Sequence, residues 1–308
     1  MIALWTITFL VGLVVATLAS RRAVTHALRA ADASQVSSGF IGMTVMAIGT
    51  DLPEIANSII SAATGHGDLN VGDSAGSALT QVTLVLGLLC FSTTLVSDRR
   101  TVALLGLLTA AALGGISLLV HDQAFGRLDG AVLVLGWLVI LVGMKTLSAE
   151  RSSTNAPTRQ LGRHILAAAL WLAVVAVAAT VVVQSFVAMT ESIGVPGALA
   201  GAVVLALRTS LPELIVDWTA IRRGAAALAL GDLFGSSLLD ATLAIGIGPM
   251  ITPTAVSAAA TTTCIIAAIG VVAATAVASS RSMLDRTSAI LLIGIYLGAT
   301  AAFIVTVS

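Results

Sequence analysis

Apolar residues run through this chain in long blocks, and the polar residues that interrupt the blocks gather at a few places. About 20 consecutive apolar residues cross a bilayer as a helix. By that measure ten spans are expected, at 2–20, 36–62, 70–96, 101–120, 128–147, 164–189, 196–221, 226–250, 254–279 and 287–307. The second and seventh run long, and Leu52-Pro53 and Leu211-Pro212 fall near their middles. Proline removes a backbone donor and clashes with the carbonyl four residues back. Inside a membrane the freed groups survive only where protein, water or an ion satisfies them. Helices 2 and 7 are therefore expected to break beside an interior cavity, with unwound carbonyls there.

The two interruptions are one pattern written twice. Thr50-Asp51-Leu52-Pro53-Glu54 recurs as Thr209-Ser210-Leu211-Pro212-Glu213, and residues 42–89 align with 201–248 without a gap at an offset of 159. Roughly a third of the aligned positions carry the same residue. A unit this long is no solenoid repeat; it fits the duplicated halves of a membrane transporter. Five spans per half, an odd number, makes the halves inverted. The expected division is 1–147 for the first half, a short solvated linker at 148–163, and 164–308 for the second.

Composition agrees: 57% of the 308 residues are hydrophobic and only 10% are charged, against about 25% charged in an ordinary soluble domain. Net charge is zero, so nothing points to nucleic acid. Basic residues set the orientation. With the N-terminus outside, the inner loops and span ends take Arg21, Arg22, Arg29, Arg99, Arg100, Lys145, Arg151, Arg159, Arg163, Arg222, Arg223, Arg281 and Arg286. Arg127 alone falls outside and Arg208 falls within a span, so both termini are expected outside and the linker in the cytoplasm. Residues 2–20 lack the basic start of a signal peptide, and a retained first span is expected. Cys90 and Cys264 read as small core residues, and the four histidines as solvated groups near span ends.

Glu54, Glu213 and Asp240 lie mid-span, and Asp51 precedes the first proline. An ionised side chain at the bilayer centre costs roughly 2.5–3.5 kcal/mol or more and marks a functional site by default. The bland alternative is a structural ion pair or a protonated acid within the bundle. Thr50, Thr209, Ser210, Ser77 and Ser236 offer hydroxyls, and Ala47 and Ala206 offer carbonyls. Hard cations take six to eight such oxygens, and without a His or Cys cluster zinc and soft metals do not fit. Gly72-Asp73 and Gly231-Asp232 open the second motif of each repeat, and both aspartates are expected to cap helices.

These motifs resemble the alpha-repeats of the Ca²⁺/cation antiporter superfamily, closest to its sodium/calcium exchanger branch, over 42–89 and 201–248. The resemblance implies an all-α integral membrane fold of ten helices in two inverted five-helix repeats. It also implies cation ligands at Glu54, Glu213, Asp240, Thr50, Thr209, Ser210, Ser77 and Ser236, with carbonyls from Ala47 and Ala206. The expected activity is exchange of Ca²⁺ for Na⁺ by alternating access across a bacterial or archaeal plasma membrane. No enzyme activity or cofactor is expected, and the partners are inorganic cations and lipid, with a monomer as the working unit. The first and sixth spans are the candidates to slide. Exchange of Ca²⁺ or another cation for H⁺ by the same fold stays open, as does a cation channel or a non-transporting membrane subunit.

The chain departs from the family pattern at several places. Gln81 replaces an asparagine, Asp51 a serine, Arg208 a glycine, and Asp73 and Asp232 the asparagines of the second motifs. Arg208 and Asp51 read as one change: the extra acid compensates the extra arginine. Glu54, Glu213, Asp240 and Asp51 with Arg208 then carry a nominal charge of minus three. The harsher reading puts Arg208 permanently in one cation position.

Overall fold

The computed structural model describes residues 2–34, 36–149, 160–192 and 197–307; the side chains of 2–3, 147–149, 187, 190–192, 197–209 and 307 stand outside that description. Each expected span is helical over most of its described length; residues 93–96 and 254–257 lie outside the helices, and 196 lies outside the described residues. The helices are α1 (Ile2–Ser34), α2a (Ser38–Thr50), α2b (Leu52–Ala63), α3 (Gly67–Ser92), α4 (Arg99–Leu119) and α5 (Arg127–Ala149). The second half continues with α6 (Leu161–Ser192), α7 (Gly197–Arg222), α8 (Ala226–Ile251), α9 (Ala258–Ser280) and α10 (Arg286–Val307). The linker expected at 148–163 is trimmed at both ends by α5 and α6, and 150–159 lie outside the described residues.

The two proline sites differ. At the first, Asp51 leaves the helical region (φ −87°, ψ 11°) and Pro53 sits in the first turn of α2b, where a missing N–H costs nothing. The Asp51 N–H still reaches the Ala47 carbonyl at 3.0 Å, and the Ile55 N–H reaches the Asp51 carbonyl at 3.0 Å. The break is thus a one-residue kink rather than an unwound stretch. At the second, α7 continues through Pro212; the interruption there is confined to the donor that proline lacks.

Among the described residues three π-turns interrupt the helices, at Gly42–Met46, Gln81–Val85 and Asp240–Ala244. The last two are repeat mates, each beginning on a candidate ligand. In both, a threonine hydroxyl back-bonds one turn up: Thr83 to the Leu79 carbonyl and Thr242 to that of Leu238, each at 2.5 Å. Such insertions occur often at functional sites, where they redirect side chains and backbone carbonyls.

Helices pack as repeat mates, α1 on α6 and α4 on α9, around a centre formed by α3 and α8. The central helices are far more enclosed than the outer ones, with 78% of α3 and 94% of α8 buried over their apolar cores against 22% for α1 and 11% for α10. On α1 the exposed stripe Leu4, Ile7, Val11, Val14, Leu18 faces lipid, while Ala16, Ala19, Ala23 and Ala27 turn inward. Small residues let membrane helices approach closely. The approach is closest where α2a crosses α8. A Cβ on Gly42 would collide with the Leu228 carbonyl oxygen, and one on Gly235 with the Met43 backbone.

Outside the helices, β1 (Leu95–Val96) pairs antiparallel with β4 (Met283–Leu284), and β2 (Ala124–Phe125) with β3 (Thr254–Ala255). Each ladder joins one loop from each half. Pairing requires the α3–α4 and α9–α10 loops to share a membrane side, and likewise the α4–α5 and α8–α9 loops. The ten-span count places them so.

Gly235→Leu should lower stability by about 1–3 kcal/mol, the usual cost of overpacking, read as a fall in thermal midpoint in detergent. An unchanged midpoint would mean that α2a and α8 separate freely.

Candidate cation site

The sequence-derived candidates converge where α2, α3, α7 and α8 meet. Thr50, Asp51, Gln81, Glu213, Ser236 and Asp240 have no exposed surface, and Glu54, Ser77 and Ser210 almost none. The repeat axis passes through the group. Gln81 donates its side-chain amide to Asp240, its own repeat mate, at 3.2 Å. Nearby, the Ser237 hydroxyl donates to the carbonyl of its mate, Ala78, at 2.7 Å. Thr50 and Ser236 bring their hydroxyls to 3.4 Å across the same seam. Ser77 accepts from the Gln81 amide at 3.4 Å. Asp51 and Thr50 approach Glu213, and Glu54 is an electrostatic neighbour of both Glu213 and Asp240.

These groups are short of donors. Among the described residues, Asp51 Oδ2, Glu54 Oε2, both Glu213 oxygens, Asp240 Oδ1, Gln81 Oε1 and the Ser210 hydroxyl are buried without a hydrogen-bond partner. Buried polar atoms are normally satisfied, so a cluster of orphaned oxygens is an acceptor array suited to a cation. Among the described residues no three His, Cys, Asp or Glu side chains close into a ready metal cage. A hard cation here would draw on hydroxyls and carbonyls beside the acids. The Ala47 carbonyl is engaged within its helix, accepting from the Asp51 N–H and, at 3.2 Å, from the Thr50 hydroxyl. Ala206, Arg208 and Thr209 fall on α7, and their side chains lie outside the described residues.

The capping role expected for Asp73 and Asp232 is corrected. α3 starts at Gly67 and the first helical segment of α8 at Ala226, which places both aspartates well inside their helices. Asp73 accepts from the Asn57 amide at 2.7 Å. Asp232 is fully buried and faces Asp217, within hydrogen-bonding reach of it. Among the described residues none of the four oxygens of Asp217 and Asp232 accepts a hydrogen bond, although Ser236 lies beside Asp232. Asp217 escaped the sequence reading, although its place four residues after Glu213 puts it on the same helix face. Beside the site, a cleft of about 310 Å³ between α3, α9 and α10 is lined in part by Asp73, Ser77 and Thr80.

An inverted-repeat bundle with buried, donor-poor acids at its centre is an arrangement suited to a membrane cation transporter. Similarity to known proteins agrees. The model of the sodium/calcium exchanger protein family matches residues 4–145 and 163–305. The putative antiporter CaxA of Alkalimonas amylolytica is 30% identical over 269 residues, 83% of each chain. The inner membrane protein YrbG of Escherichia coli is 32% identical over 230 residues, 69% of each. The sodium-calcium exchanger NCX_Mj, soaked with 10 mM Na⁺ and no Ca²⁺, superposes with a TM-score of 0.81 at 25% identity, covering 98% of this chain and 99% of that one. This chain belongs to the sodium/calcium exchanger family. It is a multi-pass protein of the plasma (inner) membrane and a secondary antiporter, not an enzyme.

Gln81→Leu removes the amide donor from Asp240 and should cost about 1–3 kcal/mol, the penalty of an unsatisfied buried acceptor. Gln81→Asn should cost less, because an amide remains. Thermal unfolding of the two variants in detergent compares them.

Proposed function

We propose that Ca²⁺ is held chiefly by Glu54 and Glu213, and that Na⁺ competes for overlapping positions on Asp240, Asp51, Gln81 and the hydroxyls of Thr50, Thr209, Ser210, Ser77 and Ser236. Carbonyls of Ala47 and Ala206 complete the set when the α2 kink and α7 rearrange. The observation that carries this reading is the set of orphaned buried oxygens at the repeat seam. A cation supplies what they lack, and one group of acids holding either ion, but not both, makes exchange obligatory. Alternating access would come from α1 and α6 moving as a pair over the α3–α8 centre, with both termini outside and the chain acting as a monomer.

The apposed Asp217 and Asp232 support a second reading. Two acids facing one another without a donor require a proton or a cation between them, which keeps H⁺ as a coupling ion beside Na⁺. Arg208 is assigned to charge compensation with Asp51.

Two experiments test these assignments. In proteoliposomes, Ca²⁺ uptake should follow an imposed Na⁺ gradient and fall at least 10-fold in Glu54→Gln and in Glu213→Gln. Each loses a ligand charge whose replacement costs more than the roughly 1.4 kcal/mol equal to a factor of ten. Uptake driven by a pH gradient without Na⁺ selects the proton reading, and absence of uptake under both gradients rejects exchange of Ca²⁺. For the second assignment, Arg208→Gly alone should impair transport more than Arg208→Gly combined with Asp51→Ser. Equal damage would sink the pairing.

A further inference from the structure

At the end of the bundle where α1 and α6 carry their basic residues, guanidinium groups crowd one cavity of about 700 Å³. Arg21, Arg22 and Arg29 come from α1 and Arg223 from the turn after α7. Among the described residues none of these four is ion-paired, whereas Arg281 pairs with Asp285. The nearest acid along α1 is Asp32, beyond Arg29. Two contacts fix the cavity's shape. The Arg22 guanidinium lies 5.6 Å from the centre of the Trp171 ring on α6, and Arg223 donates to the Thr25 hydroxyl. His26 meets His164 of α6 through their Nδ1 atoms at 3.1 Å, so these two histidines, read from sequence as solvated, instead tie the two helices together.

The other wall of the cavity is apolar. Val15, Leu18 and Val174 line it while remaining 40%, 57% and 38% exposed, and Leu18 belongs to the lipid-facing stripe of α1. A cation cluster continuous with a lipid-facing groove fits one amphipathic anion. We propose that this cavity binds an anionic phospholipid, its phosphate among Arg22, Arg29 and Arg223 and an acyl chain along Val15, Leu18 and Val174. Basic pockets between transmembrane helices recognise acidic headgroups through this combination, with arginine suited to phosphate by its planar fork of donors. The apolar wall separates a lipid from free phosphate, which has no use for it. The bound lipid would link the α1–α6 pair to the end of α7, and so bear on the movement of that pair that the transport reading requires. That consequence rests on the reading; the lipid site does not.

The test uses the whole protein in phosphatidylcholine nanodiscs with brominated phosphatidylglycerol titrated in, read by quenching of tryptophan fluorescence. Saturable quenching is expected, with apparent affinity at least 10-fold weaker in Arg22→Gln/Arg29→Gln. Brominated phosphatidylcholine should give no saturable component, and inorganic phosphate should not compete. The control Arg281→Gln/Arg286→Gln removes charge away from the cavity and should leave affinity unchanged. Equal affinity in wild type and Arg22→Gln/Arg29→Gln, equal weakening in both double variants, or competition by inorganic phosphate would each overturn the proposal. Because the readout needs neither Ca²⁺ nor Na⁺, its result is separate from that of the flux experiment.

Discussion

A carboxylate inside a bilayer has no water to offset its charge, and Asp51, Glu54, Glu213, Asp217, Asp232 and Asp240 all sit in this condition. Such a group persists only when something else compensates it. Most of the architecture serves to hold these acids close without satisfying them. Two of the helices that carry or face them, α3 and α8, are far more enclosed than the outer helices α1 and α10. The backbones of α2a and α8 nearly touch at Gly42 and Gly235, which leaves little room for solvent. Among the described residues donors are few: the Gln81 amide reaches Asp240, the Thr50 hydroxyl reaches Asp51 at 3.4 Å, and the Asn57 amide reaches Asp73. What remains, among the described residues, is a set of buried oxygens with few donors.

Duplication builds this arrangement from one pattern, and divergence makes it specific. The axis relating the halves brings Gln81 onto Asp240 and Ser237 onto Ala78, so positions equivalent in sequence become neighbours in space. Where the halves agree, as in the paired π-turns, the backbone is shaped the same way twice. Where they differ, chemistry differs: an amide faces Asp73 in one half, and a second acid faces Asp232 in the other. Two identical halves would surround both aspartates alike; here the surroundings differ.

The membrane class, ten spans, inverted repeat and central acids were all legible in the residue pattern. Long apolar runs leave a chain little choice but the bilayer, and in-register carboxylates within them place one site between two halves. Three features were not legible. The capping role read for Asp73 and Asp232 failed because Gly67 and Ala226 start the helices further upstream, in stretches whose hydropathy gives no sharp edge. Asp217 has Ser58 as its repeat mate, so the duplication does not mark it, and only its spacing from Glu213 does. The unwound carbonyls expected at both prolines are absent from the described backbone around Pro53 and Pro212. At Pro53 the helix restarts at once, and in α7 a membrane helix tolerates one missing donor. Proline in a sequence marks a lost hydrogen bond, and only packing decides how much backbone follows it.

The two short ladders have a mechanical meaning. Each crosses from one half to the other, one above the membrane and one below, so the loops flanking α4 and α9 are stitched at both ends. A bundle fastened in this way resists hinging open like a clamshell, since opening one face would pull apart a ladder at that face. Neither ladder includes a residue of α1 or α6, so the two ladders fasten the α4 and α9 side of the bundle and leave the α1–α6 pair unstitched.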